Sequence, residues 1–386
     1  MIELTTLDPT APLDDLEPLR DRLAGARVVG IGESAHHVRE YQLLRHRITR
    51  FLVERMGFTV FALESGFSEG LGVDRWVQGG AGGPTGLTYR FGESPETQAM
   101  LAWMRSVVTN GGTLSYAGLD LPGDLASMLP ALDGVGRYLS SADPDAGILV
   151  GRIRKLAELY AGPHTMPAFA AYQAMAAADR DELTVLLAEL SARFDALRPL
   201  YPPQFGTARH ELRLAALLDQ ALRAQAAGAT AVNVRDAAMA ETVAWLLDRG
   251  APGVVLSAAN NHLQRIPFRM AGFEVPVLGA HLATRLGDDY VVIAGTARAG
   301  RTPSRRRAPS APAGAELFST DLPAPAPGSV ESLLPSDGVA HVLDPRSLDT
   351  PPTSIRNLDG FVEQPVAEAF DLVAGISVIS PTAPVE

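Results

Sequence analysis

The sequence predicts an α/β fold, with a mostly parallel central sheet flanked by helices and a large helical insertion or lid. Three observations predict it. Short β-branched runs alternate with amphipathic helical stretches as far as Asp120; a long Ala/Leu/Arg-rich stretch without strand character then interrupts them; and the alternation resumes beyond Arg235. Strand and helix in alternation is the pattern of a parallel sheet with crossover helices.

Taken in order, Arg27 to Ile31 is an apolar, β-branched strand. Val38, Tyr41, Leu44, Ile48, Phe51, Leu52 and Met56 then recur at helical spacing until Gly57 stops them. Phe58 to Leu63 is the next strand and runs into Glu64, and a helix from Thr97 to Val108 leads to a strand from Leu114 to Gly118, followed by Asp120. In a parallel sheet all carboxyl ends share one rim, so Glu33, Glu64 and Asp120 are delivered to one edge. Residues 142–230 read as the helical insertion, with Leu183, Leu186, Leu187, Leu190, Phe194 and Leu197 on one face. Arg235 to Arg249 is a helix and Gly253 to Ser257 a strand that meets Asn260-Asn261-His262. Tyr290 to Ala294, Val339 to Leu343 and Leu372 to Ile379 complete the strands. Residues 297–337, rich in Pro, Gly, Ala and Arg, predict a mobile surface segment, and Arg305-Arg306-Arg307 within it a solvated loop. There is no repeat of solenoid or propeller period, so residues 1–386 are read as one domain containing both segments.

With 386 residues, 46% of them hydrophobic and 20% charged, the chain can bury a large core. A net charge of −11 repels phosphate, which argues against nucleic acid and anionic membrane and favours a small neutral or cationic molecule as the partner. Cysteine is absent, excluding disulfides, thiolate nucleophiles and cysteine-bound zinc. The first residues lack a basic and apolar leader, and no stretch approaches the ~18 apolar residues of a membrane span, so the expected location is cytoplasmic.

The chemistry concentrates in Val28-Val29-Gly30-Ile31-Gly32-Glu33-Ser34-Ala35-His36-His37. An apolar run there stops at glycine and presents a carboxylate and two imidazoles before a helix begins. Glycine is expected to let the backbone bend, and the helix start to offer N–H groups to developing negative charge. General-base chemistry needs a side chain with a pKa near the working pH, and His36 is the candidate. Either Glu33 or Glu64 can orient it and stabilise its imidazolium, while Arg45 can bind a substrate carboxyl or polarise a carbonyl. His37 and Asn261 are expected to touch substrate. Asp120 has two readings, a substrate contact or a cap on the helix that Pro122 and Asp124 begin. Glu33, His36, His37 and Glu64 also have the donor chemistry of a divalent-metal site; the reading adopted is no metal and no cofactor. His281 is read as structural, and His164 and His210 as surface or substrate-access residues of the insertion.

The Gly32-Glu33-x-x-His36 turn, Arg45, Glu64, the Arg235-Asp236-x-x-Met239-Ala240-Glu241 helix and the strand ending in Asn260-Asn261-His262 together resemble the erythromycin esterase family in order and spacing, from about residue 25 to 380. The resemblance implies a metal-independent hydrolase of cyclic esters. It gives His36 the role of general base, with Glu33, Glu64, Arg45 and His262 arranging the cleft. Members commonly carry Ala-His-Asn-x-His where this chain has Ala258-Ala259-Asn260-Asn261-His262, so Ala259 stands in place of an imidazole. The expected function is hydrolysis of an ester or lactone in an antibiotic or other secondary metabolite. The alternative is a non-hydrolytic tailoring enzyme, a cyclase, dehydratase or lyase, using the same His/Glu pair; a catalytically silent binding protein is a third class.

Overall fold

Strands β1 (Ile2–Leu4), β2 (Val28–Glu33), β3 (Val60–Gly66), β4 (Ser115–Asp120), β5 (Val254–Ala259), β6 (Tyr290–Arg307), β7 (Ala315–Asp321), β8 (Ala340–Leu343) and β9 (Leu372–Ile379) form one sheet in the computed structural model. The structure describes residues 1–229, 231–270, 272–308, 310–311 and 313–383. Strand order is β1-β8-β9-β6-β2-β5-β3-β4, with β7 paired to the far end of β6. The run from β9 to β4 is parallel throughout, and β8 and β1 extend one edge antiparallel. Every residue of β2 and β3 is buried. Burial on both faces is why these strands read as continuous apolar runs rather than alternating ones.

The chain leaves β2 toward β3 and β4, returns to place β5 between β2 and β3, and then continues on the other side of β2 with β6 and β9. Strand order therefore reverses at β2 and β5, and the carboxyl ends diverge there to open a crevice. Helix α1 (Arg39–Met56) ends at Gly57, whose φ of 79° supplies the left-handed cap that the sequence signals. Helix α2 (Phe67–Val77) follows β3, and α3 (Pro95–Thr109) is capped by the Ser94 side chain.

Between β4 and β5 lie α4 (Leu129–Ala142), α5 (Gly147–Glu158), α6 (Thr165–Ala174), α7 (Ala177–Leu197) and α8 (Phe205–Ala226), followed by α9 (Val234–Asp248). The helical unit thus begins at Leu129 rather than at residue 142, because α4 packs Leu132, Val135 and Leu139 into the same apolar cluster as Leu183, Leu187, Phe194 and Leu218. Residue 230, the last of the expected insertion, lies outside the described residues.

The stretch 297–337 contains regular structure where a mobile segment was expected. Strand β6 runs on to Arg307 and pairs antiparallel with β7, from Arg301 opposite Asp321 to Arg307 opposite Ala315. Buried Thr302 and Ser304 alternate with exposed Arg301 and Arg305, the period of a half-covered strand. Pro303 is tolerated because this ribbon has only one partner. Residues 309 and 312 lie outside the described residues. Short α10 (Asn260–Leu263) and α11 (Leu278–Leu286) complete the frame near β5. Among the described residues no helix is long and apolar enough to cross a membrane.

Candidate active site

The site is built where β2 ends. Gly32 lies inside that strand, and its role differs from the expected bend. A Cβ at this position would stand 2.2 Å from Asn260 Oδ1, and Asn260 uses that closeness to lock β5 to β6, donating to the Gly295 carbonyl at 2.8 Å and accepting from the Gly295 N–H at 3.0 Å. Glycine here is a packing requirement, since nothing larger admits the buried amide. The turn itself is made farther on, where His37 adopts a φ of 60°. A left-handed non-glycine residue costs on the order of 1–3 kcal/mol and persists where its surroundings impose it. The start of α1 also differs from expectation, since the Arg39 N–H donates to the Ser380 carbonyl at 2.9 Å instead of facing substrate.

His36 Nδ1 lies 2.6 Å from Glu33 Oε1. A carboxylate accepts only, so Nδ1 carries a proton, and in the neutral imidazole Nε2 is left with the lone pair. That Nε2 is 3.9 Å from Glu64 Oε2, too far for a direct hydrogen bond. The imidazole ring packs edge-on against Phe91 and parallel to Tyr89, leaving 32% of its side chain open. Arg45 is buried behind the dyad. Its guanidinium lies 3.8 Å from Glu33 Oε2 and within 3.5 Å of Ser257 Oγ and 3.3 Å of Thr97 Oγ1.

Glu64 is the hub. The parallel pairing of β3 with β4 slips between Leu63 and Gly66, and the Glu64 carboxylate accepts the Ala259 N–H at 2.9 Å from the end of β5. Its other oxygen lies 2.9 Å from Arg235 Nη2 and 3.3 Å from His262 Nε2. Arg235 also donates to Asp120, at 2.6 Å from Nη2, and to the Tyr89 hydroxyl at 3.1 Å. Tyr89 in turn donates to Asp120 at 3.0 Å. His262 Nδ1 is held 2.7 Å from Asp236 Oδ2, an oxygen that also accepts the Leu278 N–H at 2.9 Å. Helix α9 therefore contributes two adjacent residues, Arg235 to the carboxylates and Asp236 to the imidazole.

These contacts separate the two histidines electrically. For His262, burial opposes the charged form, but Glu64 and Asp236 outweigh it and hold the imidazole up to about 10, so it is a cation at neutral pH. His36 feels the same opposition from burial, and Glu64 and Glu33 raise it above an ordinary histidine. Glu64 is held well below the usual carboxylate range by His262, His36 and Arg235 despite burial. His37 moves the other way, lowered by burial and by the neighbouring His36.

A cavity of about 330 Å³ lies over this cluster. His36, His37, Glu64, Arg235, Ala259, Asn261 and His262 line its floor, and Ser304, Arg305, Leu317, Asn357 and Leu358 close over it from the β6–β7 ribbon and the hairpin formed by Ser354–Asn357 and Gly360–Glu363. The structure thus brings His36, His37, Glu64, Asn261 and His262 together at one surface, with Glu33 directly behind His36. Asp120 and Arg45 are not at that surface. Asp120 is fully buried and binds Arg235; it accepts the Leu121 N–H but does not cap a helix. Arg305 corrects the reading of the arginine run as solvated loop, because the ribbon carries it to the cavity rim. His210 is buried against Phe67 and stacked on Trp245, not at the surface. Among the described residues no group of three or more His, Cys, Asp and Glu is placed to hold a metal ion.

Sequence reasoning assigned no role to Arg235, Asp236, Tyr89 or Asn260. Arg235, Asp236 and Asn260 stand within the motifs that carry the family resemblance, whereas Tyr89, in the turn before Phe91, gave no signal. Gly66-Phe67-Ser68-Glu69-Gly70 is a second overlooked pattern, a Gly-x-Ser-x-Gly at a strand-to-helix junction. It does not form a nucleophile elbow here, since the Ser68 hydroxyl is buried with no hydrogen-bond partner and lines a different cavity from His36.

Comparison with known proteins agrees with this architecture. The erythromycin esterase family model matches residues 53–370. The chain is 27% identical to an erythromycin esterase type II of Escherichia coli, covering 94% of this chain and 92% of the relative. It is 26% identical to an erythromycin esterase type I of the same organism, covering 94% and 93%. Among solved structures, a mutant of the erythromycin esterase EreC in its open conformation superposes with a TM-score of 0.85 at 24% identity, covering 100% of this chain and 99% of that one. A Bacillus cereus protein gives a TM-score of 0.83 at 21% identity, covering 100% and 96%. With most of its length matched by the family model, the chain belongs to the erythromycin esterase family.

Proposed function

We propose that this cavity hydrolyses an ester or lactone of a small organic molecule, with His36 as general base. The observation that carries the reading is the 2.6 Å contact between His36 Nδ1 and Glu33, which leaves the basic Nε2 facing the cavity. Water held at Nε2 attacks the carbonyl carbon while Nε2 takes its proton, and Glu33 stabilises the resulting imidazolium. The tetrahedral oxyanion is offset by the positive charge of His262, with Arg235 adjacent. Collapse breaks the C–O bond to the alkoxide, which recovers the proton from His36, giving an acid and an alcohol. The names of the curated relatives, esterases of erythromycin, support the reaction class. A cavity of about 330 Å³ is at the small end of the ~300–1,000 Å³ of ligand pockets, which favours a compact substrate or one that projects past the ribbon.

Turnover of lactone and aryl-ester panels in ¹⁸O-labelled water tests the reading. One labelled oxygen in the acid product is expected. An unlabelled isomer or dehydrated product replaces hydrolysis with cyclisation or elimination, and saturable binding without turnover replaces it with a binding function.

A further inference from the structure

The β6–β7 ribbon that closes over the His36 cavity carries Arg301, Arg305, Arg306 and Arg307, and the pairing register gives them different surroundings. Arg301 stands opposite Asp321 and closes on it at 3.4 Å, and Arg306 stands opposite Glu316 and closes on it at 2.9 Å. Arg307 lies opposite Ala315 and does not line the cavity. Arg305 stands opposite Leu317, both line the cavity, and among the described residues no hydrogen bond or ion pair closes on its guanidinium. The acid on the neighbouring hairpin, Asp359, is engaged elsewhere, accepting the Ser304 hydroxyl at 3.1 Å. Arg90, beside the adjoining hollow that shares His37, Pro303 and Leu317 with this cavity, is held by Glu93 at 2.9 Å.

The support of Arg305 is fixed. Thr302 and Ser304 are buried, and Pro303 locks its own backbone dihedral. The hairpin beside it is pinned as well, since Leu358 at its tip holds a φ of 53° and donates its N–H to the Ser34 carbonyl at 2.9 Å. A preformed rim therefore presents a guanidinium whose donors have no protein partner.

A net charge of −11 favours a cationic partner for the molecule as a whole, but the cavity wall has the opposite local sign. Among its lining residues the one acid is Glu64, already accepting from Ala259 and Arg235 and lying against His262. Glu33, Asp120 and Asp236 sit behind the wall, engaged by His36, Arg235 and His262 in turn. Arg235, Arg305 and the His262 cation line it. An ammonium group finds no uncommitted acid there. A carboxylate finds a guanidinium of matching fork geometry.

We propose that Arg305 determines specificity, and that the substrate is an ester or lactone bearing a second group, a free carboxylate, which Arg305 binds in a forked pair while the ester carbonyl lies at His36. This deepens the hydrolytic reading of the same cavity and rests on it.

Hydrolysis of monoethyl adipate, ethyl hexanoate and the cationic ethyl (trimethylammonio)valerate by the full chain tests the proposal, with calorimetric binding of adipamate and neutral hexanamide as a readout that needs no turnover. The anionic ester is expected to exceed the neutral one at least fivefold in kcat/KM, through KM, and the advantage should shrink as NaCl screens the rim. Adipamate should bind at least fivefold more tightly than hexanamide. Arg305→Gln should bring both ratios close to one with the melting temperature unchanged, Arg305→Lys should retain part of them, and Arg305→Glu should turn the preference toward the cationic ester. Adipamate binding that depends on Arg305, with no ester hydrolysed, upholds the anion site and overturns the hydrolytic reading instead. Hydrolysis without preference for the anionic ester, a preference that survives Arg305→Gln, or neither turnover nor adipamate binding at millimolar concentration overturns the assignment of Arg305.

Discussion

His262 Nδ1 lies 2.7 Å from Asp236 Oδ2, and that pairing sets the two cavity histidines apart. With Glu64 on its other nitrogen, His262 has an anion at each end and stays protonated to about 10. A cation so held is a poor base and a good electrostatic partner for an oxyanion. His36 has one close carboxylate and one distant, and its Nε2 is the nitrogen available for proton transfer.

The pH dependence follows from these two shifts. As the proposed base His36 must be neutral, and its neighbours raise its pKa, so kcat/KM is expected to climb with pH through an apparent pKa above 6.5. It declines near pH 10 as His262 loses its charge. His36→Ala removes the rising limb and lowers kcat about 10²–10⁴-fold. Steady-state kinetics of the folded variant checks this; near wild-type turnover contradicts the role.

Asp236→Asn replaces one of the anions on His262 by a neutral amide. The imidazole pKa then falls from about 10 toward its ordinary value, and the declining limb of the pH–rate profile moves to lower pH. Stability changes in step. A raised histidine pKa stabilises the fold fully below 6.5 and loses that contribution as pH rises through about 10, so the variant's deficit in melting temperature shrinks at alkaline pH. NMR titration of the His262 ring reads the shift directly, and an unmoved midpoint refutes the pairing.

Activity survives exhaustive chelation, because the proposed steps use only side chains of this chain. Assay after EDTA treatment and dialysis measures it. Inactivation reversed by one specific divalent ion requires Glu33, His36 and Glu64 to be reassigned as ligands.

Ala259 puts a methyl group on the cavity wall where the family resemblance leads one to expect an imidazole, and its N–H is already committed to Glu64. A drier, smaller wall strengthens the remaining charge interactions but removes a polar contact. The expected outcome is that the native chain opens erythromycin-type lactones weakly or not at all and that Ala259→His raises that rate. Ring opening followed by mass spectrometry decides; rapid opening by the native chain refutes the expectation.

The strands carrying Glu33 and Glu64 and the helix ending at Gly57 were legible in the sequence, because apolar periodicity and a glycine stop are local properties of the chain. The parallel rim placed Glu33, Glu64 and Asp120 at one edge on topology alone, and the family resemblance added His262. Asp120 was legible as a strand-end acid but misread in role. Its partner Arg235 is 115 residues away, and only packing shows that the guanidinium absorbs its charge. The same holds for Arg305. A Pro- and Arg-rich stretch has no local signature of a strand, and it became one only because β7 offered a partner along β6. What the sequence by itself determined was the sheet, its acidic and imidazole edge, and the family resemblance. The tertiary structure alone decided which histidine is held as a cation and which is left with a free nitrogen. That choice depends on carboxylates supplied by separate elements, whose distances no local spacing encodes.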